Sequence, residues 1–395
     1  MTDGLKRRIS LPLLTAYGVG VMVGAGIYVL VGAVAGQSGI YAPLAFLIAG
    51  IVALPSALSY AELASRMPEA AGEAAFVEAG FESRAMAILV GLAIVLAAII
   101  SGAAVLRGGV GYFLTLVPIE AWAAILAGGV ILSLIAMIGV LESMAFVAVF
   151  TVVEIGGLLA VAWAGLTGPV SGDWASLPAP EWIGIGGAVA LCFFAFIGFE
   201  DIENMAEEVR DPTRTLPRAI LLALGITALL YALVSLAAVR SVPIAALGSS
   251  EQPLALVWAT ATGKSAAFLS AIAVAAAVNG VLAQIVMAAR VLYGLGKRAR
   301  WLAPFHVAHP RFGTPLLATV VVGAAAIAAA LSLPVGQLAE MTAAVILAVF
   351  FLVNIALIRL KARVPEAPFR VPGWVPVVGL ILATLALGAT LWGAA

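Results

Sequence analysis

The stretch FFAFIGFEDIENMAEE, residues 193–208, begins like a membrane span and then departs from that pattern. Its first five residues are apolar, Gly198 interrupts the helix-forming run, and Glu200 and Asp201 follow. A carboxylate in the middle of a bilayer costs about 2.5 kcal/mol or more, so acids at this depth need a partner or a function. The stretch therefore predicts a helix interrupted inside the membrane, with polar groups gathered at the interruption.

The composition around this stretch places the whole chain in a membrane. Of its 395 residues, 64% are hydrophobic and 10% are charged, whereas soluble domains carry about 25% charged residues. Charge-free runs recur, the longest between Arg8 and Glu62, and a helix of about 20 residues crosses the hydrocarbon core. The alternation typical of a membrane β-barrel is absent. We predict an all-α integral membrane protein with about eleven spans, at residues 12–35, 41–65, 84–115, 121–141, 144–166, 182–207, 216–239, 265–292, 315–333, 337–358 and 374–393.

The basic residues are distributed unequally between the two sides of these spans. With the N-terminus inside, sixteen Lys and Arg residues fall in inner segments, and only Arg240 and Lys264 fall in outer loops. Because cytoplasmic loops carry the excess of Lys and Arg, this distribution predicts a cytoplasmic N-terminus and an external C-terminus. The predicted location is the plasma membrane, with the lipid bilayer as a partner.

A second interruption is expected in the first span, which reads GVGVMVGAGIYVLVG over residues 18–32. Spans 1 and 6 hold corresponding positions if the chain divides into repeats of five spans, about 12–166 and 182–358, with an extra helix at 374–393. Paired interruptions in two halves indicate a transporter built on an inverted repeat. We therefore predict one transmembrane transporter domain over 1–395, with a 5+5 inverted repeat and with spans 1 and 6 unwound.

An unwound helix exposes backbone groups that a ligand can bind. Freed N–H groups at a helix start attract an anion, and freed carbonyls at a helix end attract a cation. The N–H groups of Gly24, Ala25 and Gly26 would hold a carboxylate, and the carbonyls around 22–23 and 194–197 would hold an ammonium. A zwitterionic amino acid presents both groups. The alternative is that the glycines form a small-residue face against which another helix packs.

Four motifs follow one another along the chain: GAGIY at 24–28, YAELASRMPEAAGEAAFVEAGF at 60–81, FFAFIGFEDIENMAEEVRDPTRTLPRAI at 193–220 and ARVLYGLGKRARWLAPFHVAHPRFGTP at 289–315. Through them the chain resembles the amino acid–polyamine–organocation (APC) superfamily of transporters over nearly its whole length. The resemblance implies a leucine-transporter-type fold, with spans 1 and 6 unwound at the substrate site. It also implies transport of amino acids, polyamines or related amines by symport or exchange.

The resemblance also implies roles for single residues. Residues 24–28 fall on the carboxylate-binding motif of the superfamily, and Phe194 falls on the aromatic position that covers the substrate. Gly198 falls on the unwinding point of span 6, and Glu200 on an acidic position that is common among members. These positions place the expected substrate site where spans 1 and 6 cross.

Two acids depart from the superfamily pattern, since many members carry small or apolar residues at Asp201 and Glu203. Glu200 and Glu203 share one face of a continuing helix, while Asp201 points elsewhere. The acids either form a negative edge of the pocket, which leaves an amine open as the substrate, or stabilise the first turn of the inner half-helix through its dipole. The predicted substrate-binding residues are Met22, Val23, Gly24, Ala25, Gly26, Ile27, Tyr28, Phe194, Ala195, Phe196, Ile197, Gly198, Glu200 and Glu203.

Glu154 is the lone charged residue between Ser143 and Gly172. Its depth leaves three interpretations open: a proton carrier, a structural hydrogen bond to span 1 or span 8, and a sodium ligand. Sodium-coupled members of the superfamily use paired hydroxyls on span 8, and here the stretch 273–284 holds no Ser or Thr. We therefore predict proton coupling through Glu154 and Glu200, and no metal site.

Other function classes lack their sequence signals. The segment ATATGKS at 259–265 ends like a phosphate loop but lacks its first glycine, and no nucleophile–base pair indicates an enzyme. We predict no cofactor and no nucleic-acid partner. The expected function is secondary active transport of an amino acid or a related small amine, coupled to protons. An exchanger or a carrier of cationic amines stays open, as does a channel or a non-transporting sensor.

Overall fold

The computed structural model describes residues 9–68, 72–138 and 144–393, without the side chains at 24–25, 144–149, 204, 207 and 391–393. These residues form a bundle of helices. The α-helices are α1 (Leu11–Ser38), α2 (Ala42–Arg66), α3 (Gly72–Phe81), α4 (Arg84–Phe113), α5 (Ala121–Ile138), α6 (Met144–Thr167), α7 (Gly172–Ser176), α8 (Trp182–Phe196), α9 (Pro212–Ser241), α10 (Ile244–Ser249), α11 (Pro253–Thr262), α12 (Ala267–Gly296), α13 (Leu316–Ser332), α14 (Val335–Arg363) and α15 (Trp374–Gly393). Between them lie 3-10 helices at Gly39–Tyr41, Glu200–Glu208 and Arg300–Phe305, and we call the second of these the 3-10 segment.

The predicted all-α class is confirmed. Over the described ranges, eight helical stretches are long and apolar enough to cross a membrane, at Gly26–Arg66, Arg84–Phe113, Ala121–Ile138, Phe150–Thr167, Trp182–Glu203, Pro212–Ser241, Ala267–Gly296 and Val335–Arg363. Shorter apolar helices lie at Leu11–Val23, Pro253–Thr262, Leu316–Ser332 and Trp374–Thr390. Each predicted span overlaps a described α-helix, the fourth only as far as Ile138 and the sixth only as far as Phe196. The number of helices that cross the membrane and the inverted repeat stay predictions.

Small residues let the helices of the bundle approach closely. An added Cβ at Gly109 of α4 would overlap Ala277 of α12, and one at Gly80 of α3 would overlap Ala356 of α14. In lipid, apolar burial does not drive helices together, so close van der Waals packing between small residues takes over that role. α1 lies at the centre of this packing, against α6, α8, α9 and α12.

Buried ion pairs join helix ends on one side of the bundle. Glu62, near the end of α2, is fully buried and lies 2.6 Å from both Arg66 Nη2 and Lys361 Nζ. Its Oε2 atom also accepts a hydrogen bond from the N–H of Val371 at 2.8 Å. These contacts tie α2 to α14 and to the segment that follows α14. We call this side, where α2 and α14 end, the basic end of the bundle.

The structure interrupts one of the two spans that were expected to unwind. α8 ends at Phe196, and the chain resumes as the 3-10 segment at Glu200, so span 6 is broken between them. α1 is a single α-helix from Leu11 to Ser38, so the prediction that span 1 is unwound is wrong. A continuous helix satisfies its own backbone groups, each of which costs several kcal/mol when it is left free in hydrocarbon.

Candidate functional site

The interruption in span 6 is centred on Gly198. Its φ is +125°, and an added Cβ would lie 2.8 Å from Cγ1 of Val21 in α1. The same Cβ would lie 3.3 Å from the backbone nitrogen of Met22. Glycine is therefore required here for two reasons, its dihedral angle and the close approach of α1. We call this contact the α1/α8 crossing.

Protein groups satisfy three of the backbone atoms near the interruption. The N–H of Gly198 donates to Oε2 of Glu200 at 2.9 Å, and its carbonyl accepts from the N–H of Asp201 at 3.2 Å. The carbonyl of Ala195, in the last turn of α8, accepts from the Tyr231 hydroxyl at 2.9 Å. An unsatisfied buried polar group costs about 1–3 kcal/mol, so these bonds let the broken helix exist without a ligand. Glu200 thus accepts a backbone hydrogen bond at the start of the 3-10 segment.

The glycines of α1 serve close packing instead of unwinding. An added Cβ at Gly18 would overlap the 3-10 segment, and one at Gly20 would overlap α6. A Cβ at Gly26 would lie 3.4 Å from a Cα atom of α8. The small-residue face that the sequence left as an alternative is therefore present at these three positions. The side chains of Gly24 and Ala25 lie outside the described residues, and their backbone belongs to the continuous helix.

A tyrosine hydroxyl occupies the position that the sequence assigns to the ammonium of a substrate. The hydroxyl oxygen of Tyr231 lies 2.6 Å from the Met22 carbonyl and 2.9 Å from the Ala195 carbonyl. Both carbonyls belong to the set predicted to meet the ammonium, and the hydroxyl has one proton to donate. Tyr28 of α1 donates to the backbone carbonyl of Glu154 at 3.1 Å, which joins α1 to α6. Tyr231 thus marks a point where acceptors from two helices converge.

Two cavities lie on opposite sides of the α1/α8 crossing. The cavity toward the basic end has a volume of about 300 Å³ and the other has a volume of about 180 Å³, and each volume includes space that is open to solvent. Gly26 and Phe194 line the smaller cavity with residues of α4. Ile197, Glu200 and Asp201 line the larger cavity with residues of α3, α4, α12 and α14. Predicted site residues are therefore divided between two spaces that the crossing separates.

Glu154 is buried in α6, with 1% of its surface exposed. Neither carboxyl oxygen has a hydrogen-bond partner among the described residues, so the expected structural bond to a polar side chain is not found there. The carboxyl lies within electrostatic range of the Tyr28 and Tyr231 hydroxyls. Because burial of an unpaired carboxylate is costly, Glu154 is a candidate for binding a proton or a cation.

Four acids, which we call the acid cluster, gather beside the larger cavity. Glu73 of α3, Glu200 and Asp201 line it, and Glu203 lies beside Glu73. The Tyr60 hydroxyl donates to Glu73 at 3.5 Å, the limit of hydrogen-bond distance. Burial raises the pKa of Glu73 to about 7, and the charge of Asp201 adds to the rise. Across the described ranges, no group of three or more acids, histidines or cysteines is arranged to hold a metal ion.

Comparison with known proteins identifies the family. Residues 9–394 match the family described as amino acid permease. The chain belongs to the amino acid permease family. The resemblance to the APC superfamily is thereby confirmed, and with it the description of this permease as a multi-pass membrane protein.

Individual relatives of this permease are named as membrane transporters, not as enzymes. The vacuolar cationic amino acid transporter 2 of Arabidopsis thaliana is 33% identical over 390 residues, which cover 92% of this chain and 61% of that protein. The branched-chain amino acid permease of Bacillus subtilis is 27% identical over 402 residues, covering 95% and 85%. The methylthioribose transporter of Bacillus subtilis is 30% identical over 410 residues, covering 98% and 88%. The chain thus spans about three fifths of the plant relative's length.

Other predicted site residues of the permease lie in the packed core. Val23, Ile27 and Phe196 are fully buried, and the Phe196 ring packs against Tyr231 with centroids 5.4 Å apart. They shape the crossing and line neither of the two cavities described above. Their contact with a substrate stays a prediction.

Three polar residues beside the α1/α8 crossing and the larger cavity were not identified from the sequence. Tyr60 and Glu73 belong to the motif at 60–81, but no local spacing brings that motif to the acids of span 6. Tyr231 is the only tyrosine in the charge-free run 219–239. A lone tyrosine among apolar residues in a span is therefore the signal that could have identified it, because a buried hydroxyl needs a partner.

Proposed function

We propose that the permease is a secondary active transporter of an amino acid or a related small amine, coupled to protons. The observation that carries the proposal is the pair of cavities on opposite sides of the α1/α8 crossing, each lined by predicted site residues. A carrier exposes one central site alternately to the two sides of a membrane. A shift at the crossing would connect that site to either cavity. The chain acts as one transporter domain, with repeats at about 12–166 and 182–358.

The substrate binds at the crossing. Its ammonium takes the place of the Tyr231 hydroxyl between the carbonyls of Met22 and Ala195. Its carboxylate binds N–H groups at 24–26, which requires α1 to open there when the substrate arrives. Glycine costs a helix about 1 kcal/mol relative to alanine, so the glycine-rich turn supports a local opening. Phe194, which lines the smaller cavity beside Gly26, covers the bound substrate.

Protons bind at Glu154 and Glu200. Glu154 is buried, and its two oxygens have no described hydrogen-bond partner. It acts on the hydroxyls of Tyr28 and Tyr231, and the second of these borders the proposed ammonium position. A change in the charge of Glu154 therefore changes the electrostatic potential at the proposed ammonium position.

The basic end of the permease faces the cytoplasm, and the C-terminus lies outside. The cations of the described ion pairs at this end are Arg66, Arg298, Lys361 and Arg363. Cytoplasmic segments of membrane proteins carry the excess of Lys and Arg. The proposed location is the plasma membrane.

Uptake into liposomes tests the transport proposal. An inward proton gradient should drive saturable accumulation of a labelled amino acid, and an ionophore that collapses the gradient should abolish it. Strict counterflow without net accumulation would indicate an exchanger instead. The absence of any saturable flux would contradict both functions.

The Glu154→Gln variant tests the proton site in the same liposomes. It should reduce accumulation to the level of a collapsed gradient, because glutamine keeps the shape of the side chain but binds no proton. Counterflow should persist. Glu181→Gln, at an exposed position just before α8, is the control and should accumulate substrate normally. Unchanged proton-driven accumulation in Glu154→Gln would remove Glu154 from the mechanism.

A carrier of cationic amines is the second candidate. Three carboxyl groups line the larger cavity, and no lysine, arginine or histidine is among its lining residues. The plant relative is named a cationic amino acid transporter. Competition separates the two candidates: a diamine should displace a cationic substrate, while leucine should displace a neutral one.

A further inference from the structure

Two buried carboxyl groups lie close together where α3 meets the 3-10 segment. Glu73 lies in the first turn of α3 and is 7% exposed, while Glu203 is 1% exposed. The two side chains lie within interaction distance. Neither oxygen of Glu203 makes a regular hydrogen bond to a described residue, and the Tyr60 hydroxyl reaches Glu73 at 3.5 Å. Glu203 therefore directs two acceptor atoms into the acid cluster without a described donor for them.

Seven cations on neighbouring elements contact other partners. Their contacts are Arg298 with Glu78, Arg363 with Glu82, Arg66 and Lys361 with Glu62, Arg84 with the Lys297 carbonyl, Arg359 over the Phe81 ring and Arg214 with Asp211. Arg218 of α9 is exposed, and Arg290 lies with Asp201 near Tyr17. The groups that act most strongly on Glu73 and Glu203 are each other, the remaining acids of the cluster and, for Glu73, Tyr60.

One shared proton satisfies both carboxyl groups. Two carboxylates in a buried contact repel each other and cannot both ionise, whereas a carboxyl–carboxylate pair forms a short O–H···O hydrogen bond. A metal ion is another ligand that acids hold, and the described acids are not arranged for one. Burial raises the pKa of Glu73 to about 7, and the hydrogen bond with Glu203 opposes that rise, so Glu73 ionises first and the pair keeps one shared proton above about pH 7.

The rest of α3 is fixed independently of this pair. Glu78 pairs with Arg298 of α12, and the α-helix packs closely on α14 at Gly80. Glu73, in contrast, lines the larger cavity from the first turn of α3. The contact between Glu73 and Glu203 therefore holds the part of α3 that borders this cavity.

We propose that Glu73 and Glu203 share one proton and that this contact is a latch which closes the larger cavity at the basic end. Loss of the proton leaves two buried carboxylates, whose repulsion separates the first turn of α3 from the 3-10 segment and opens the cavity. The latch differs from the proton carrier proposed at Glu154, because it controls access and needs no substrate. Its part in transport rests on the proposed function, but the latch itself does not.

Thiol accessibility tests the latch without a transport assay. The chain has one cysteine, Cys192, which is fully buried. A Cys192→Ala chain that carries Ala98→Cys on the cavity wall reports opening through its rate of labelling with a hydrophilic maleimide. Each rate is divided by that of the same chain unfolded in detergent, which removes the pH dependence of the thiol itself. The normalised rate should stay low up to about pH 7, where one proton is still shared, and should rise about tenfold by about pH 9.5 as that proton is lost.

Variants of the pair decide the cause of this rise. Glu203→Gln and the double variant Glu73→Gln/Glu203→Gln should both abolish it, because neither retains two carboxyl groups. Glu78→Gln is the control on the same helix and should keep it. A flat profile in the reporter chain, or a rise that persists in both variants, overturns the latch. If the double variant aggregates, Glu203→Gln alone decides.

Discussion

At the scale of single residues, Gly198 and Glu200 stabilise the break after α8 without a ligand. Gly198 adopts a φ of +125°, and Glu200 accepts its N–H at 2.9 Å. A carboxyl that satisfies the backbone is also the group for which a proton or an ammonium would compete. The structural and the functional interpretation of Glu200 are therefore compatible. Glu200 accepts the Gly198 N–H in this structure, and it would give up that hydrogen bond when it binds a proton or an ammonium.

Gly198→Ala should destabilise the protein by about 1–3 kcal/mol, because an L-residue is strained at this φ. The added Cβ would also press on Val21, at 2.8 Å. Thermal unfolding in detergent micelles measures the change. Gly225→Ala in α9 is the control, since its Cβ would meet no atom within 4 Å. Equal stability of the two variants would contradict the strained geometry of the break.

The titration of Glu73 predicts a dependence of stability on pH. Its pKa is raised from 4.5 to about 7 by burial, so between these values the folded protein holds a proton that the unfolded chain has lost. Stability is therefore greatest below about pH 4.5 and falls as the pH rises through about 7, by an amount on the order of 3 kcal/mol.

Glu73→Gln should reduce this pH dependence by the contribution of Glu73, because glutamine does not titrate and carries no charge above pH 7. Unfolding temperatures at several pH values between about 5 and 8 measure it. The exposed Glu181→Gln should leave the dependence unchanged. A slope in Glu73→Gln as steep as in the parent protein would place the titration elsewhere.

At the scale of elements, α1 and the broken span 6 are joined by α9. The hydroxyl of Tyr231 reaches the carbonyl of Met22 in the middle of α1 and that of Ala195 at the end of α8. A carbonyl in the last turn of a helix has no partner within that helix. A tyrosine from a third helix therefore stabilises the point at which α8 ends.

Tyr231→Phe should destabilise the protein by about 1–3 kcal/mol, because the buried carbonyls of Met22 and Ala195 share one hydroxyl proton and both lose it. Tyr41→Phe is the matched control, since its hydroxyl donates to the Pro178 carbonyl at 2.9 Å at an exposed position. Unfolding of both variants under identical conditions provides the comparison. A larger cost for Tyr41→Phe would argue against a stabilising role of Tyr231 at the crossing.

At the scale of the whole molecule, the two ends of the bundle are built differently. The basic end is closed by ion pairs around Glu62 and along α3. The smaller cavity, toward the other end, is lined by apolar residues and Gly26. Charge pairs that join helix ends can be broken and remade during a transport cycle, whereas close packing of small residues keeps the helices in register.

Glu62→Gln should destabilise the protein by about 3–5 kcal/mol, because it leaves the largely buried Arg66 and Lys361 without their counter-charge. Asp211→Asn removes the exposed partner of Arg214, at 3.8 Å, and should cost less than about 1 kcal/mol. Chemical unfolding compares the two variants. A small cost for Glu62→Gln would mean that the ion pairs of Glu62 at the basic end contribute little to the stability of the protein.

The local sequence determined the helix positions and the break in span 6. Hydrophobic runs identified the helix positions because each membrane helix must be apolar over its own length. The break at Gly198 was predictable, since a glycine followed by acids is incompatible with an uninterrupted span. The four glycines at 18–26 of α1 also predicted a break, but α1 is a continuous helix there. Glycine permits both unwinding and close packing, and the neighbours at Gly20 and Gly26 decide between them.

The amino-acid sequence by itself determined the membrane class, the helix positions, the family and the interruption of span 6, because these depend on residues close together in the chain. Only the tertiary structure decided that α1 stays helical, that Tyr231 bridges two carbonyls and that Glu73 meets Glu203. Those contacts join residues far apart along the chain. Their partners are selected by how whole helices pack, which no local pattern of residues encodes.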